Sequence, residues 1–218
     1  MKPELTINNL ITEAKNFCIS MSNADHPSLY GVTDGKAIGT YVEHLFQMYL
    51  SNYYNVIIGN SASGIDLPGA NIMTDIKVTS INQPQSSCPF RSARQKIFGL
   101  GYNLLVFVYS KQDINKSSRL IFNHCVFINH NRTADYTTTR RIREMLIDGA
   151  NKEDLVAYLR DKNVPSDEIV YDQLATEILL HTPEQGYLTI SNALQWRLQY
   201  ARVISLSNNV NGVFNYDR

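Results

Sequence analysis

Gly64-Ile65-Asp66-Leu67-Pro68 and, just beyond it, Met73-Thr74-Asp75-Ile76-Lys77-Val78 decide how this chain is read. Residues 72–79 suit a strand, and successive strand side chains point to opposite faces. Asp75 and Lys77 therefore share one face, while Ile76 faces the other and is free to anchor the strand in a core. Pro68-Gly69 is a turn signal that folds residues 64–67 back beside this strand as a hairpin. Two carboxylates and an ammonium group then meet around one spot. Oxygen donors of this kind suit a hard cation such as Mg2+, and a lysine beside a metal site can orient or deprotonate water. The same residues also suit the solvated face of an edge strand, so the flanking elements carry the decision.

Upstream, Asp34 reads as the N-cap of a helix over residues 35–53, with Ile38, Tyr41, Val42, Leu45, Phe46 and Tyr49 on one face. Glu43 sits beside that apolar stripe, where a carboxylate is either a paired boundary residue or part of a site. Gly39 would let the helix pack closely on a sheet. A first helix is expected over 8–21, and a short strand over 55–58. Downstream, residues 80–88 form a polar loop containing Gln83, Gln85, Ser86 and Ser87. A helix over 90–100 carries Arg91, Arg94, Gln95 and Lys96 on its outer faces. Residues 103–109, Asn-Leu-Leu-Val-Phe-Val-Tyr, have the continuous apolar character of a central strand buried on both faces. Another strand is expected over 119–129, interrupted near Asn123-His124. Strand, helix, strand implies a crossover within a mixed sheet.

Asp66 followed by Asp75-Ile76-Lys77 resembles the PD-(D/E)xK nuclease signature, with Ile65 where proline often precedes the first acid. The helix before the hairpin, the crossover after it and the buried strand follow the element order of restriction-endonuclease-like proteins. Over residues 34–129 the chain resembles the core of a type II restriction endonuclease of that superfamily. The resemblance implies an α/β fold with a mixed central sheet flanked by helices, and Mg2+-dependent cleavage of double-stranded DNA at a short specific site. It also implies roles. Asp66 and Asp75 hold the metal with the Ile76 backbone carbonyl, Lys77 places or activates water, and Glu43 supports a second metal or a metal-bound water. Arg91 and Arg94 would contact phosphates or guanine edges, with Gln95 lining the site and Gln83, Gln85, Ser86 and Ser87 reaching base edges. A solvated basic helix and an ordinary polar loop account for these residues as well. A homodimer is expected, because a palindromic site has two equivalent strands.

Residues 131–218 read as a second, mostly helical region, set against a nuclease core of residues 1–130. Helices are expected over 137–149, 152–162, from a Ser166 cap to before Pro183, and over 190–203. The basic helix start with Arg140 and Arg141 joins the candidate DNA-contacting set. Tyr200-Ala201 and Gly212-Val213-Phe214 resemble the recognition helix and wing strand of winged-helix domains attached to some restriction nucleases. That resemblance makes Ser191, Asn192, Gln195 and Arg197 the readers of base edges in the major groove. A polar helix face around a Trp196-Leu198-Ala201 core stripe fits the same residues.

Composition sets the bounds. At 218 residues the chain is one large domain or two small ones. Twenty Lys and Arg balance twenty Asp and Glu, but unevenly along the chain. Residues 77–143 hold eleven Lys and Arg against two acids, and residues 144–186 hold ten acids against three bases. A polyanionic partner near the Asp75 strand explains this, as does mutual neutralisation across an interface. No apolar run is long enough to span a membrane, and Met1 to Leu5 lack the apolar segment of a secretory signal. Cys18, Cys88 and Cys125 fit no metal spacing and cannot all pair, which favours a reducing cytoplasmic setting. Two other functions share parts of this pattern. A junction resolvase or repair nuclease would use the same metal chemistry on a different DNA shape, and a winged-helix regulator would bind without cutting.

Overall fold

A computed structural model of the chain describes residues 2–59, 64–88, 92–191, 196–206 and 210–217. The chain makes two compact units, one of Met1–Ser86, Tyr102–Ile128 and Val203–Arg218, the other of Ser87–Gly101 and Asn129–Arg202. A single division at residue 130 does not describe this. Residues 87–101 belong with the second unit, and residues 203–218 return to the first.

The first unit is a mixed sheet with helices packed on it. Helix α1 (Ile7–Asn23) starts where the Thr6 side chain accepts a hydrogen bond from the Asn9 amide. Helix α2 (Gly35–Tyr53) starts at Asp34, whose carboxylate accepts from the Lys36 amide at 3.0 Å. Its Ile38, Val42, Phe46 and Leu50 are all buried, the 3.6-residue stripe expected of a helix lying on a sheet. Strand β1 (Thr74–Ser80) pairs in parallel with β3 (Asn103–Ile114), from Thr74 opposite Asn103 to Ser80 opposite Tyr109. Strand β4 (Ser117–Ile128) returns antiparallel to β3 through Asn115 and Lys116, both in the left-handed backbone region that a tight two-residue turn requires. The interruption expected near Asn123 is a bulge. Val108 pairs with His124 and Tyr109 with Phe122, so Asn123 is the extra residue and the strand continues through it.

Alternation along β3 sends Leu105, Phe107 and Tyr109 into a cluster with Phe17, Phe46 and Phe122. Leu104, Val106 and Val108 on the opposite face are fully buried too. Both faces of this strand are dry, as its unbroken apolar sequence implied. Phe17 and Phe46 meet with ring centroids 5.0 Å apart, and Phe46 and Phe107 at 5.1 Å, so α1, α2 and β3 share one aromatic centre. The strand expected over 55–58 reduces to a single bridge between Glu4 and Asn55. Gly39 does face β1, but a Cβ there would sit 3.8 Å from the Val78 Cβ, an ordinary contact. The approach of α2 to the sheet does not depend on glycine at that position.

The second unit is mostly helical. Helix α3 (Arg94–Phe98) is a single short turn ended by Gly99, where φ is 89° and an added Cβ would lie 2.6 Å from the His130 carbonyl. Helix α4 (Tyr136–Ile147) is capped by Asp135 rather than opening at Thr137, and α5 (Lys152–Asp161) has a capping box between Asn151 and Asp154. The cap of α6 (Glu168–Leu180) is Asp167, which accepts from the Val170 amide, not Ser166. Ile142, Leu155, Leu159, Leu174 and Ile178 close the core between these helices and α3.

The described residues of the segment expected as a helix over 190–203 are not helical before Ala201. Strand β5 (Thr189–Ile190) pairs antiparallel with β6 (Trp196–Gln199), and a short helix α7 (Ala201–Ser205) follows. Arg197 and Gln199 are exposed while Leu198 and Tyr200 are buried. That two-residue period fits residues 196–200 as well as a helical stripe does, and pairing with β5 settles it. β6 lies between β5 and β2 (Gln85–Cys88) in a three-stranded sheet. The expected wing is also placed elsewhere. Asn211-Gly212 does turn the chain, with Gly212 at φ 86°, but β7 (Val213–Asp217) pairs with β4 as the fourth strand of the first unit's sheet. A recognition helix carrying Ser191 and Arg197, with a wing hairpin behind it, is therefore not the architecture of this segment.

Among the described residues no helix is long and apolar enough to cross a membrane. All three cysteines are free and buried.

Candidate active site

Strand β1 lies at the edge of its sheet, and the hairpin expected before it forms. Leu67 and Thr74 exchange backbone hydrogen bonds at 3.0 Å in both directions, and the turn closes where the Ile72 and Met73 amides donate to the Gly69 carbonyl. Asn103 reinforces the turn from β3, its side chain donating to the Ile72 carbonyl at 2.7 Å. This pinning brings Asp66 alongside β1, where its Oδ2 accepts the Ile76 amide at 2.6 Å. A strand residue's N–H and C=O leave on the same side. The Ile76 carbonyl thus points off the open edge of the sheet, as its amide does, while the Ile76 side chain is buried in the core.

Asp75 is 5 % exposed, and its Oδ2 lies 2.7 Å from Lys77 Nζ. Burial pushes its carboxyl up to about 7 against the pull of Lys77, and the adjoining Asp66 carboxylate adds to the rise. Glu43 is delivered by α2, half-buried and within hydrogen-bonding reach of Asp66. Burial followed by the Asp66 charge raises it to about 7 as well, with Lys77 opposing. Gln47, one helical turn on, donates to Glu43 Oε1 at 3.4 Å. Glu43, Asp66, Asp75 and Lys77 are thus brought to one place by a helix, a hairpin arm and a strand. Gln47 was not singled out from the sequence, although its i+4 spacing from Glu43 puts it on the same helix face.

The donor set consists of carboxylate oxygens with the Ile76 backbone carbonyl beside them, the chemistry a hard divalent cation takes. Two acids raised to about 7 by burial and by the Asp66 carboxylate, despite Lys77, are ones a cation would discharge. Among the described residues no three His, Cys, Asp or Glu side chains are already drawn in as a closed cage. Asp66 is turned to the Ile76 amide and Asp75 to Lys77. The residues fit Mg2+ in kind and in neighbourhood, and ligation would require these two carboxylates to exchange a hydrogen bond for a metal bond.

The other expected contact residues are scattered. Gln83 and Ser87 are exposed, while Gln85 and Ser86 are half-buried. The loop that holds them is organised by Thr79, whose hydroxyl bonds the Gln83 and Gln85 carbonyls and the Gln85 amide, each at 3.1 Å. The Arg94 guanidinium is engaged by Glu177 through three hydrogen bonds of 2.7–3.1 Å and lies over the Phe98 ring. Gln95 donates to the Leu100 carbonyl and so ties down the end of α3. Arg140 and Arg141 are exposed, and both pair with Glu144. Ser191 and Arg197 are joined through backbone and hydroxyl on the β5–β6 ribbon. Arg91, Asn192 and Gln195 lie outside the described residues.

Comparison with known proteins places the chain in a family. The profile of the family described as "Type II restriction enzyme NspV" matches residues 4–215. A curated protein of that description from Nostoc sp. is 54 % identical over 216 residues, covering 98 % of this chain and 97 % of its own. A solved structure of tetrameric restriction endonuclease SfiI bound to cognate DNA overlays 100 % of this chain and 89 % of that one, at 10 % identity and a TM-score of 0.43, too loosely to transfer any residue. On the first two findings, the chain belongs to the NspV family of type II restriction enzymes.

Proposed function

We propose that this chain hydrolyses phosphodiester bonds of double-stranded DNA at a specific site, with Mg2+ as cofactor and a PD-(D/E)xK active site made of Asp66, Asp75, Lys77 and Glu43. The observation that carries the reading is the convergence of three carboxylates and one lysine from three elements, with two of the acids raised to about 7. Membership of a restriction enzyme family supports cutting over the alternative of a regulator that only binds.

Bound among these oxygens, Mg2+ would set positive charge against the scissile phosphate and acidify water. Asp66 and Asp75 supply carboxylate oxygens and the Ile76 carbonyl a neutral one. Lys77 Nζ, held at 2.7 Å from Asp75, carries a positive charge to where negative charge grows on the phosphate, and has protons with which to orient a water. Glu43 closes the cluster from α2 and supports a second cation or a water. Gln47 restrains Glu43 from behind. Two copies of the chain would place one such cluster at each strand of a symmetric site, which favours a homodimer.

Plasmid DNA incubated with the protein and Mg2+ should give discrete fragments, and none with EDTA. Lys77→Ala and Asp75→Ala should each abolish cutting while DNA still shifts on a gel. Cutting near the parent rate by either variant would remove the assignment of this site. Cleavage of extruded cruciforms alone would instead make the protein a junction resolvase.

A further inference from the structure

The small sheet of the second unit presents one face with an unusual composition. In the β5–β6 ribbon Thr189 lies opposite Gln199 and Ile190 opposite Leu198. The Ser191 amide donates to the Arg197 carbonyl, and the Arg197 amide to the Ser191 hydroxyl, so the ribbon extends by one more pair. Leu198 and Ile190 are buried on one side of the pleat. Thr189, Arg197 and Gln199 are exposed on the other. On β2, the other neighbour of β6, Ser87 is exposed and Cys88 buried, the same alternation.

The surfaces of soluble domains commonly intersperse charges of both signs. Here the outward positions are Arg, Gln, Ser and Thr, without a carboxylate. The arginine is also differently placed from its neighbours. Arg94, Arg140 and Arg160 are each tied to a glutamate, whereas the Arg197 guanidinium makes no ion pair among the described residues, and the Gln199 amide makes no hydrogen bond among them. Two side chains able to form paired hydrogen bonds are held out from a ribbon whose back is anchored in a core.

We infer that this ribbon reads base edges in the major groove, with Arg197 and Gln199 as its specificity-determining residues. The major groove admits a two-stranded ribbon, where arginine pairs bidentately with guanine O6 and N7 and glutamine with adenine N6 and N7. Residues two apart on a strand stand about 6.7 Å apart, close to two base-pair steps of about 3.4 Å each. Arg197 and Gln199 therefore meet base pairs two steps apart, and Thr189, cross-strand from Gln199, meets the same edge region. Gln199 does not stand out in the sequence, because a helical register turns it away from Arg197.

The inference rests on the action on double-stranded DNA proposed above, and its test does not need cutting. Parent, Arg197→Ala and Gln199→Ala proteins are each used to select bound duplexes from a randomised pool in EDTA, and binding of selected and random duplexes is titrated at several salt concentrations. The parent selects a defined sequence. Each variant is expected to lose preference at one or two base pairs, with discrimination there falling about tenfold or more and binding of random duplex little changed. An unchanged selected sequence in both variants overturns the inference. So does a uniform weakening for all duplexes with a salt slope shallower by about one, the behaviour of a phosphate contact. A parent that selects a sequence but never cuts plasmid with Mg2+ would count against the proposed hydrolysis and leave the ribbon's reading role supported.

Discussion

Asp75 and Asp135 are buried to the same extent, each 5 % exposed, and each has a lysine close by. Their surroundings differ in a way that separates structure from chemistry. Asp135 takes the Thr138 amide at 2.8 Å as the cap of α4 and the Ile190 amide at 2.8 Å from β5. Lys96, also buried, hands its own hydrogen bond to the Ile190 carbonyl at 3.0 Å. Charge and donors are matched there, and the group joins three elements of the second unit. Asp75 has Lys77 on one side and another carboxylate on the other, and its carboxyl rises to about 7. A buried acid saturated with donors holds a fold together. One that faces further acids waits for something positive.

The contrast breaks first if Asp75→Asn fails to separate activity from stability. Cleavage should fall by at least about 100- to 1,000-fold, the scale on which removal of one transition-state-stabilising group acts. The metal-free variant should melt no lower than the parent at pH 8, since burial of the charge, the dominant cost at this position, is relieved. A loss of several degrees would make Asp75 a structural residue. Asp135→Ala should do the opposite. Losing the cap and leaving Lys96 without its charge partner should cost about 2–4 kcal/mol, seen as a melting temperature lower by roughly 5–15 °C. Cleavage below that temperature should remain within a few-fold of the parent. If it vanishes while the fold persists, Asp135 belongs to the chemistry.

Glu13 sharpens the comparison with a third acid. The Tyr49 and Tyr54 hydroxyls donate to it at 2.6 and 2.8 Å, and its carboxyl lies below the ordinary 4.5, with the Tyr49 bond the largest cause. A depressed folded value means a stabilising contribution that is present above pH 4.5 and lost as pH falls through the folded value. Melting curves between pH 3 and 6 should therefore be steeper for the parent than for Glu13→Gln. Equal slopes would mean that donors around an acid do not set its behaviour here. The smallest effect is expected at Glu177→Gln. Its bidentate partner Arg94 is more than half exposed, so the pair should contribute less than about 1 kcal/mol, and the melting temperature should move by no more than a few degrees.

Much of the first unit was legible because local and global demands agree there. Asp34 before an apolar stripe fixes the start of α2, the apolar run after Gly101 has the character of a buried strand, and alternation places Asp75 and Lys77 on one face. Glu43 was legible as a candidate through a family resemblance, and the helix does bring it to Asp66. What escaped depends on partners distant in the chain. Residues 196–200 satisfy a helical and a strand period alike, and pairing with Thr189 and Ile190 chooses between them. Residues 213–217 suit a hairpin with their nearest neighbours, yet β4 takes them. Arg94 reads as a basic residue awaiting a phosphate until Glu177, eighty-three residues away, is folded against it.

The pairing of β7 with β4 also bears on how the protein comes to be made. Asp66, Asp75 and Lys77 emerge early during synthesis, and β1, β3 and β4 can assemble as soon as Ile128 has appeared. The edge of β4 then stays open until Val213 to Asp217 arrive, after all of residues 129–202. Ile128 opposite Val213 and Phe127 opposite Phe214 are contacts of long sequence separation, and such contacts form late. A nascent chain carries the acidic cluster on an unfinished sheet, with an unpaired strand edge that another chain can occupy.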